Sequence, residues 1–160
     1  MKTFLISVLC SVIFAAGTFG QDLSVSAYYL LGEKSKDSHS TEESFAVSNS
    51  SVSYTVKYSG KRGKNQVDAE KTCTFTDQDL TNLSKTIETK ELNVNDSLFS
   101  EHFKSKSFEV YTNISLNIVM DGQEYRIRIN GDTIEFDDSK LYKNTVFFLT
   151  MLRKMIEGCK

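Results

Sequence analysis

The chain contains no proline in its 160 residues, against an average usage of about 5%. That absence excludes proline-rich linkers and argues against a string of short modules. Histidine is nearly absent as well, with one residue at position 39 and one at 102. His39 sits in a serine-rich stretch beside Asp37 and Glu42, where nothing local would hold a set of metal ligands in place. His102 follows Glu101, but a general base needs an oriented partner and a nucleophile. Serines are numerous, yet none lies in a nucleophile-elbow pattern. No catalytic, cofactor or metal motif stands out, so no cofactor or metal and no catalytic residue is assigned from the sequence.

Long hydrophobic runs are missing beyond the first twenty residues. The start itself reads as a signal peptide: Lys2, an apolar region over 4–14, then Ala15, Ala16, Gly17 and Gly20 as small residues for cleavage. The apolar region is too short to span a bilayer. Cleavage is expected before Gln21, with cleavage before Thr18 as the alternative. Cys10 lies inside the apolar region after Leu9, which is not a lipoprotein context. The expected product is therefore exported to a periplasm or secreted, with no membrane span after signal removal. Residues 21–160 make 140 residues, enough for a single domain with its own core. Loss of Lys2 takes the net charge from −2 to −3. A mildly acidic chain with scattered lysines argues against a nucleic-acid binder.

Two cysteines then remain, Cys73 and Cys159. In an oxidising compartment they are candidates for one disulfide. Cys73 shares strand parity with Phe75, so it is expected to face the core, and Cys159 closes the C-terminal helix.

The most regular stretch lies in the second half. Ile114, Leu116, Ile118 and Met120 alternate with polar residues, which is the period of a half-buried strand. Asp121-Gly122 suits a two-residue type I′ turn, where both positions need positive φ. Tyr125, Ile127 and Ile129 follow on one face, with Glu124, Arg126 and Arg128 on the other. That turn pairs Met120 with Gln123, Ile118 with Tyr125, Leu116 with Ile127 and Ile114 with Ile129. Asn130-Gly131 predicts a second such turn and a third strand carrying Ile134 and Phe136, with Arg126 between Asn117 and Glu135. Asp137, Asp138 and Ser139 then offer helix N-caps. Leu141, Phe148, Leu152, Met155 and Ile156 form an apolar stripe, and Gly158 suits a left-handed helix end.

The first half is less regular. A strand is expected over 21–31, a polar exposed loop over 33–44, and a hairpin over 45–75 around the basic turn Lys61, Arg62 and Lys64. A helix over 77–90 starts at Thr76 as N-cap with Asp79 at N3, and Phe75 against Leu80 as a hydrophobic staple. Residues 92–107 read as a loop with a short helical turn. Together these elements predict an α+β two-layer sandwich: an antiparallel sheet of about five or six strands with two helices on one face.

The ending of the signal before Gln21-Asp22 and the segments YTVKYSG, TCTFTDQDLTNLSKTI and SLNIVMDGQEYRIRING resemble small exported proteins of unknown function from gut Bacteroidota. The resemblance implies a cell-envelope location and carries no site residues. In that setting Asp96-Ser97-Leu98 and Asp132-Thr133-Ile134 match an Asp-Ser/Thr-apolar O-glycosylation motif, which makes Ser97 and Thr133 candidates. Asn49, Asn82, Asn95 and Asn113 lie in Asn-x-Ser/Thr sequences, which count only in a eukaryotic secretory pathway.

These observations lead to an exported, non-enzymatic interaction or binding module, with an envelope or extracellular protein as candidate partner. One alternative is a small-ligand binder or small enzyme with a site near Arg126 and Arg128 or residues 92–107. Another is an inhibitor presenting the 33–44 loop.

Overall fold

The structure, a computed structural model, describes residues 22–33, 39–60, 66–100 and 110–159. The expected signal peptide at 1–20, the basic turn at 61–65 and His102 lie outside the described residues. One sheet of seven strands organises the chain, in the order β4-β3-β2-β1-β6-β7-β5. The strands are β1 (Leu23–Glu33), β2 (His39–Ser48), β3 (Ser51–Ser59), β4 (Gln66–Thr74), β5 (Asp96–Phe99), β6 (Val110–Met120) and β7 (Gln123–Asp132). Two helices complete the fold, α1 (Asp77–Thr89) and α2 (Lys140–Gly158). All neighbours pair antiparallel except β5, which runs parallel to β7. The fold is α+β.

The central hairpin follows from its turn. Asp121 and Gly122 have φ of 52° and 75°, the positive pair that a type I′ turn requires. The register is the one that turn dictates: Met120 opposes Gln123, Ile118 opposes Tyr125, Leu116 opposes Ile127 and Ile114 opposes Ile129. The alternation continues into β1, where Leu23, Val25 and Ala27 oppose Met120, Ile118 and Leu116. These residues are buried and share one core with Leu83 and Ile87 of α1 and Phe148, Leu149, Leu152 and Ile156 of α2. A single apolar sheet face is thus buried with both helices' stripes.

Several expectations need correction. Asn130-Gly131 is no turn. β7 runs through it, with Gly131 at φ 149°, and a Cβ there would collide with Ser100. Glycine is needed because the end of β5 comes in beside it, where the Ser100 N–H donates to the Asn130 carbonyl at 3.1 Å. The expected third meander strand is instead a 3-10 turn, Ile134–Phe136, with Ile134 exposed and Phe136 buried. Arg126 does face Asn117, but its guanidinium pairs with Glu124, while Glu135 accepts a hydrogen bond from Ser100. The sheet has seven strands rather than five or six because the chain turns at Asn49-Ser50, splitting the expected hairpin arm over 45–59 into β2 and β3, and because Asp96–Phe99 forms β5. β2 also begins earlier than expected, at His39. Neither 39–44 nor 96–99 carries the apolar alternation that marks a strand in sequence. Backbone hydrogen bonding to β1 and β3 holds the one, and pairing with β7 holds the other.

The helices start as their caps predict. The Thr76 hydroxyl accepts from the Asp79 N–H and the Asp79 carboxylate accepts from the Thr76 N–H at 2.9 Å, a capping box. Donation to the Asp79 carboxylate from the Thr76 hydroxyl, and then from the Thr76 N–H, holds that carboxyl below its usual pKa. Ser139 caps α2 by accepting from the Tyr142 N–H. Gly158 is the last helical residue rather than a left-handed terminator, and the chain leaves extended at Cys159. Asn144 of α2 donates to the Lys90 carbonyl at the end of α1, at 2.8 Å, which ties the two helices together. No helix among the described residues is long and apolar enough to cross a membrane.

Cys73 of β4 and Cys159 are joined as a disulfide, with Cα atoms 6.1 Å apart and 86 residues between them in sequence. The cross-link closes a long loop and holds the C-terminal end of α2 to the edge of the sheet. A Cys73→Ser/Cys159→Ser variant is expected to lose about 3–5 kcal/mol of stability, as loop-closure entropy gives for a loop of this length. Urea unfolding of the oxidised wild type against the variant measures it, and equal midpoints would show that the cross-link contributes nothing.

Candidate ligand-binding cleft

Along β1 burial is complete at Leu23 and Val25 and declines beyond Ala27, so that Tyr29 and Leu31 are only partly covered. The same end of the sheet carries Glu43 and Thr41 of β2, Val56 and Tyr58 of β3, and Ala69 of β4 in matching rows. Tyr29 opposes Glu43, Glu43 opposes Val56, and Val56 opposes Ala69. One row further in, Phe45 opposes Tyr54, which opposes Lys71. The β3–β4 register shifts between Val56 and Lys57, while Tyr58 keeps the parity of Tyr54 and Val56 opposite Thr41. Among the described residues, the end of α2 lies over these rows, with Arg153, Ile156 and Glu157. The space between is a cleft of about 800 Å³, within the size range of small-molecule sites.

Its polar centre is an ion pair. Arg153 Nη2 donates to Glu43 Oε2 at 2.5 Å. Glu43 is 6% exposed although it is a strand carboxylate on the core face. Burial of that kind is tolerated only when the charge is paired. Arg153 Nε is buried and has no acceptor among the described residues, so the guanidinium retains unused donor capacity. Tyr54 lines the same cleft, near enough to both charged groups to feel them, and its ring packs on Phe45 with centroids 4.9 Å apart. Burial, then the Glu43 charge, push the Tyr54 hydroxyl up to about 12. Tyr29 is raised for the same two reasons, burial and Glu43. Burial works to lower the Arg153 pKa, but the hydrogen bond and charge of Glu43 outweigh it and the group is held further up. Lys71 reaches across to donate to the Glu157 carbonyl at 3.1 Å. With Cys73–Cys159 it fixes the end of α2 over β4.

The residues singled out in sequence lie elsewhere. Arg126 and Arg128 point from β7 to the open face of the sheet, where Arg126 forms an exposed pair with Glu124 and Arg128 opposes Ser115 and Ser97. Within 92–107, Asn95 uses its side chain to accept from the Arg126 N–H at 2.9 Å, and residues 101–109 lie outside the described residues. Ser97 is exposed on the edge strand β5, whereas Thr133 is partly buried and its N–H donates to the Val110 carbonyl. His39 belongs to β2 opposite Glu33, not to a loop, so the stretch proposed for an inhibitor is strand over 39–44. The structure brings none of Arg126, Arg128, Asn95, Ser97, Thr133 and His39 into the cleft, whereas Thr41 and Glu43 of the 33–44 stretch line it.

Glu43 and Arg153 were visible in principle. Counting back by two from Val47 and Phe45 reaches Glu43 and Thr41, so a strand continued through the serine-rich stretch would place a carboxylate on the core face. Arg153 sits four residues after Leu149 and three before Ile156, on the buried side of the helix. A lone acid and a lone base, each on an apolar face, are the signal of a buried pair. No protein-family model matches the chain, and no curated protein matches it.

Removing one partner strands the other, so Glu43→Ala is expected to cost about 3 kcal/mol, whereas Glu43→Leu/Arg153→Met stays near wild type. Chemical unfolding of both variants checks this, and a mild Glu43→Ala would mean that the pair is effectively solvated. A raised Tyr54 pKa also carries a sign for stability. The unfolded chain ionises this hydroxyl near its ordinary 10, before the folded chain does at about 12. The Tyr54 contribution is therefore complete below pH 10 and is lost as pH rises toward 12. Melting temperatures across that interval should fall less steeply in Tyr54→Phe than in wild type, and identical slopes would contradict the assignment.

Proposed function

We propose that this protein is an exported, non-enzymatic binding module of the cell envelope or secreted space, and that it binds a small molecule in the cleft beneath the end of α2. The observation that carries the reading is the Glu43–Arg153–Tyr54 group, convergent polar chemistry inside a concavity with a largely apolar wall. Such a combination is the usual signature of a ligand site. The same group supports binding over catalysis. A proton-transfer residue works best with a pKa near the operating pH. Tyr54 is pushed up to about 12 and Arg153 is held protonated, so both donate hydrogen bonds and neither exchanges a proton near neutrality. Export is supported by the amino-terminal sequence and by the Cys73–Cys159 bond, which belongs to an oxidising compartment. The resemblance to small exported Bacteroidota proteins points the same way and suggests the envelope.

The test is equilibrium dialysis of the oxidised exported protein against a low-molecular-mass extract of its native medium, with retained compounds identified by mass spectrometry. Wild type is expected to retain one compound near stoichiometry, and Glu43→Leu/Arg153→Met to retain none. Retention by both would place binding outside the cleft. If wild type retains nothing, and cross-linking in the native envelope captures one stoichiometric protein at the Arg126/Arg128 face, the cleft reading fails and the open sheet face is the interaction surface.

A further inference from the structure

The composition of the cleft narrows what it can hold. Glu43 and Glu157 stand against Arg153 and Lys71, two charges of each sign, so the walls carry no net charge. A carboxylate or phosphate entering beside Arg153 would also meet Glu43, and an ammonium entering beside Glu43 would meet Arg153. Either would have to break an ion pair whose partners are largely removed from water, and leaving one of them unpaired is costly. An uncharged ligand leaves the pair intact. It must still offer both a donor and an acceptor at close spacing, because Arg153 can only donate and a carboxylate can only accept. An apolar ring alone would leave the spare capacity of Arg153 unused.

Adjacent hydroxyls on one ring meet these demands together. Each hydroxyl both donates and accepts, so a neighbouring pair can accept from Arg153 and donate to Glu43 at once. Tyr54 is held as a neutral phenol and adds a further donor and acceptor at the same point. The remaining wall is supplied by Leu31, Val56, Ala69, Ile156 and the tyrosines at 29 and 58, which suits the C–H faces of such a ring. Tyr58 is 50% exposed at the rim, an amphipathic side chain with an apolar body and a wet tip. We infer that the ligand is a neutral saccharide, whose vicinal hydroxyls engage Glu43, Arg153 and Tyr54 while its ring lies against the apolar wall. This rests on the cleft being the binding site.

The absence of tryptophan makes the test direct, because the protein's emission comes from its seven tyrosines. Isotope-labelled full-length exported protein, disulfide intact, would be titrated and followed by NMR and tyrosine fluorescence. The probes are glucose, galactose, mannose, N-acetylglucosamine, maltose, cellobiose and lactose, with glucuronate as a charged sugar and indole as a neutral ring lacking hydroxyls. At least one neutral sugar should give saturable shifts at Tyr54 and Arg153. Tyr54→Phe should weaken it about tenfold, the scale of one lost hydrogen bond. Arg128→Ala, on the opposite face, should leave it unchanged. Saturable binding of glucuronate or indole alone would overturn the saccharide assignment while leaving the cleft as a binding site. Absence of cleft shifts with every probe also overturns it, and the dialysis experiment then decides separately whether the cleft binds anything.

Discussion

Coverage of one apolar sheet face is the constraint from which the rest of the molecule follows. Period-two alternation along β1, β2, β3, β6 and β7 puts the large aliphatic side chains other than Leu30 and Val119 on the same side, and two helices are available to cover it. α1 contributes Leu83 and Ile87, and α2 contributes Phe148, Leu149, Leu152 and Ile156. Where that cover is complete, as over Val25 and Ile118, the row runs through Val47, Val52 and Cys73 with no charged residue. Where α2 runs out, the rows change character to tyrosine, threonine and glutamate. The cleft lies between these rows and the C-terminal part of α2, at Arg153, Ile156 and Glu157.

What stands at that boundary is a compromise between burial and hydration. A carboxylate on the core face is unfavourable by itself, and Arg153 from α2 is the group that makes Glu43 tolerable there. A hydrophobic pair of similar size would give as much stability, so the ion pair is not explained by folding alone. Its placement in a concavity, with Tyr54 beside it and an unused donor on Arg153, is what a recognition site requires. The end of α2 must be immobile for such a site to keep its shape. The Lys71 contact to the Glu157 carbonyl and the Cys73–Cys159 bond both act there, on the same edge strand. Rigid support behind a small polar constellation is the general condition for selective binding.

The open face behaves differently. Arg126, Arg128, Glu124, Asn117 and Ser26 lie there among other polar groups, and the pairs they form are exposed. Exposed pairs of that kind contribute little to stability. They keep a broad sheet surface wet.

Legibility in the sequence divides along physical lines. The β6–β7 register could be read because Asp121-Gly122 sets it stereochemically within four residues. The start of α1 could be read because Thr76, Asp79, Phe75 and Leu80 satisfy their cap within one turn. Pairing of Cys73 with Cys159 followed from compartment and count. Asn130-Gly131 misled because the same glycine that permits a turn also permits close approach of another strand, here at Ser100. The strand over 39–44 and β5 were hidden, since backbone pairing with neighbours held them without an apolar pattern. Glu43 and Arg153 show the limit most clearly. By itself the sequence determined periodicity, turn chemistry, caps and the candidate cross-link, all of which act between residues close in the chain or through composition. Only the tertiary structure decided which rows of the sheet α2 would leave uncovered, and that its arginine would meet a carboxylate 110 residues earlier. Such a meeting depends on where a distant helix comes to rest, and no local preference of the chain encodes it.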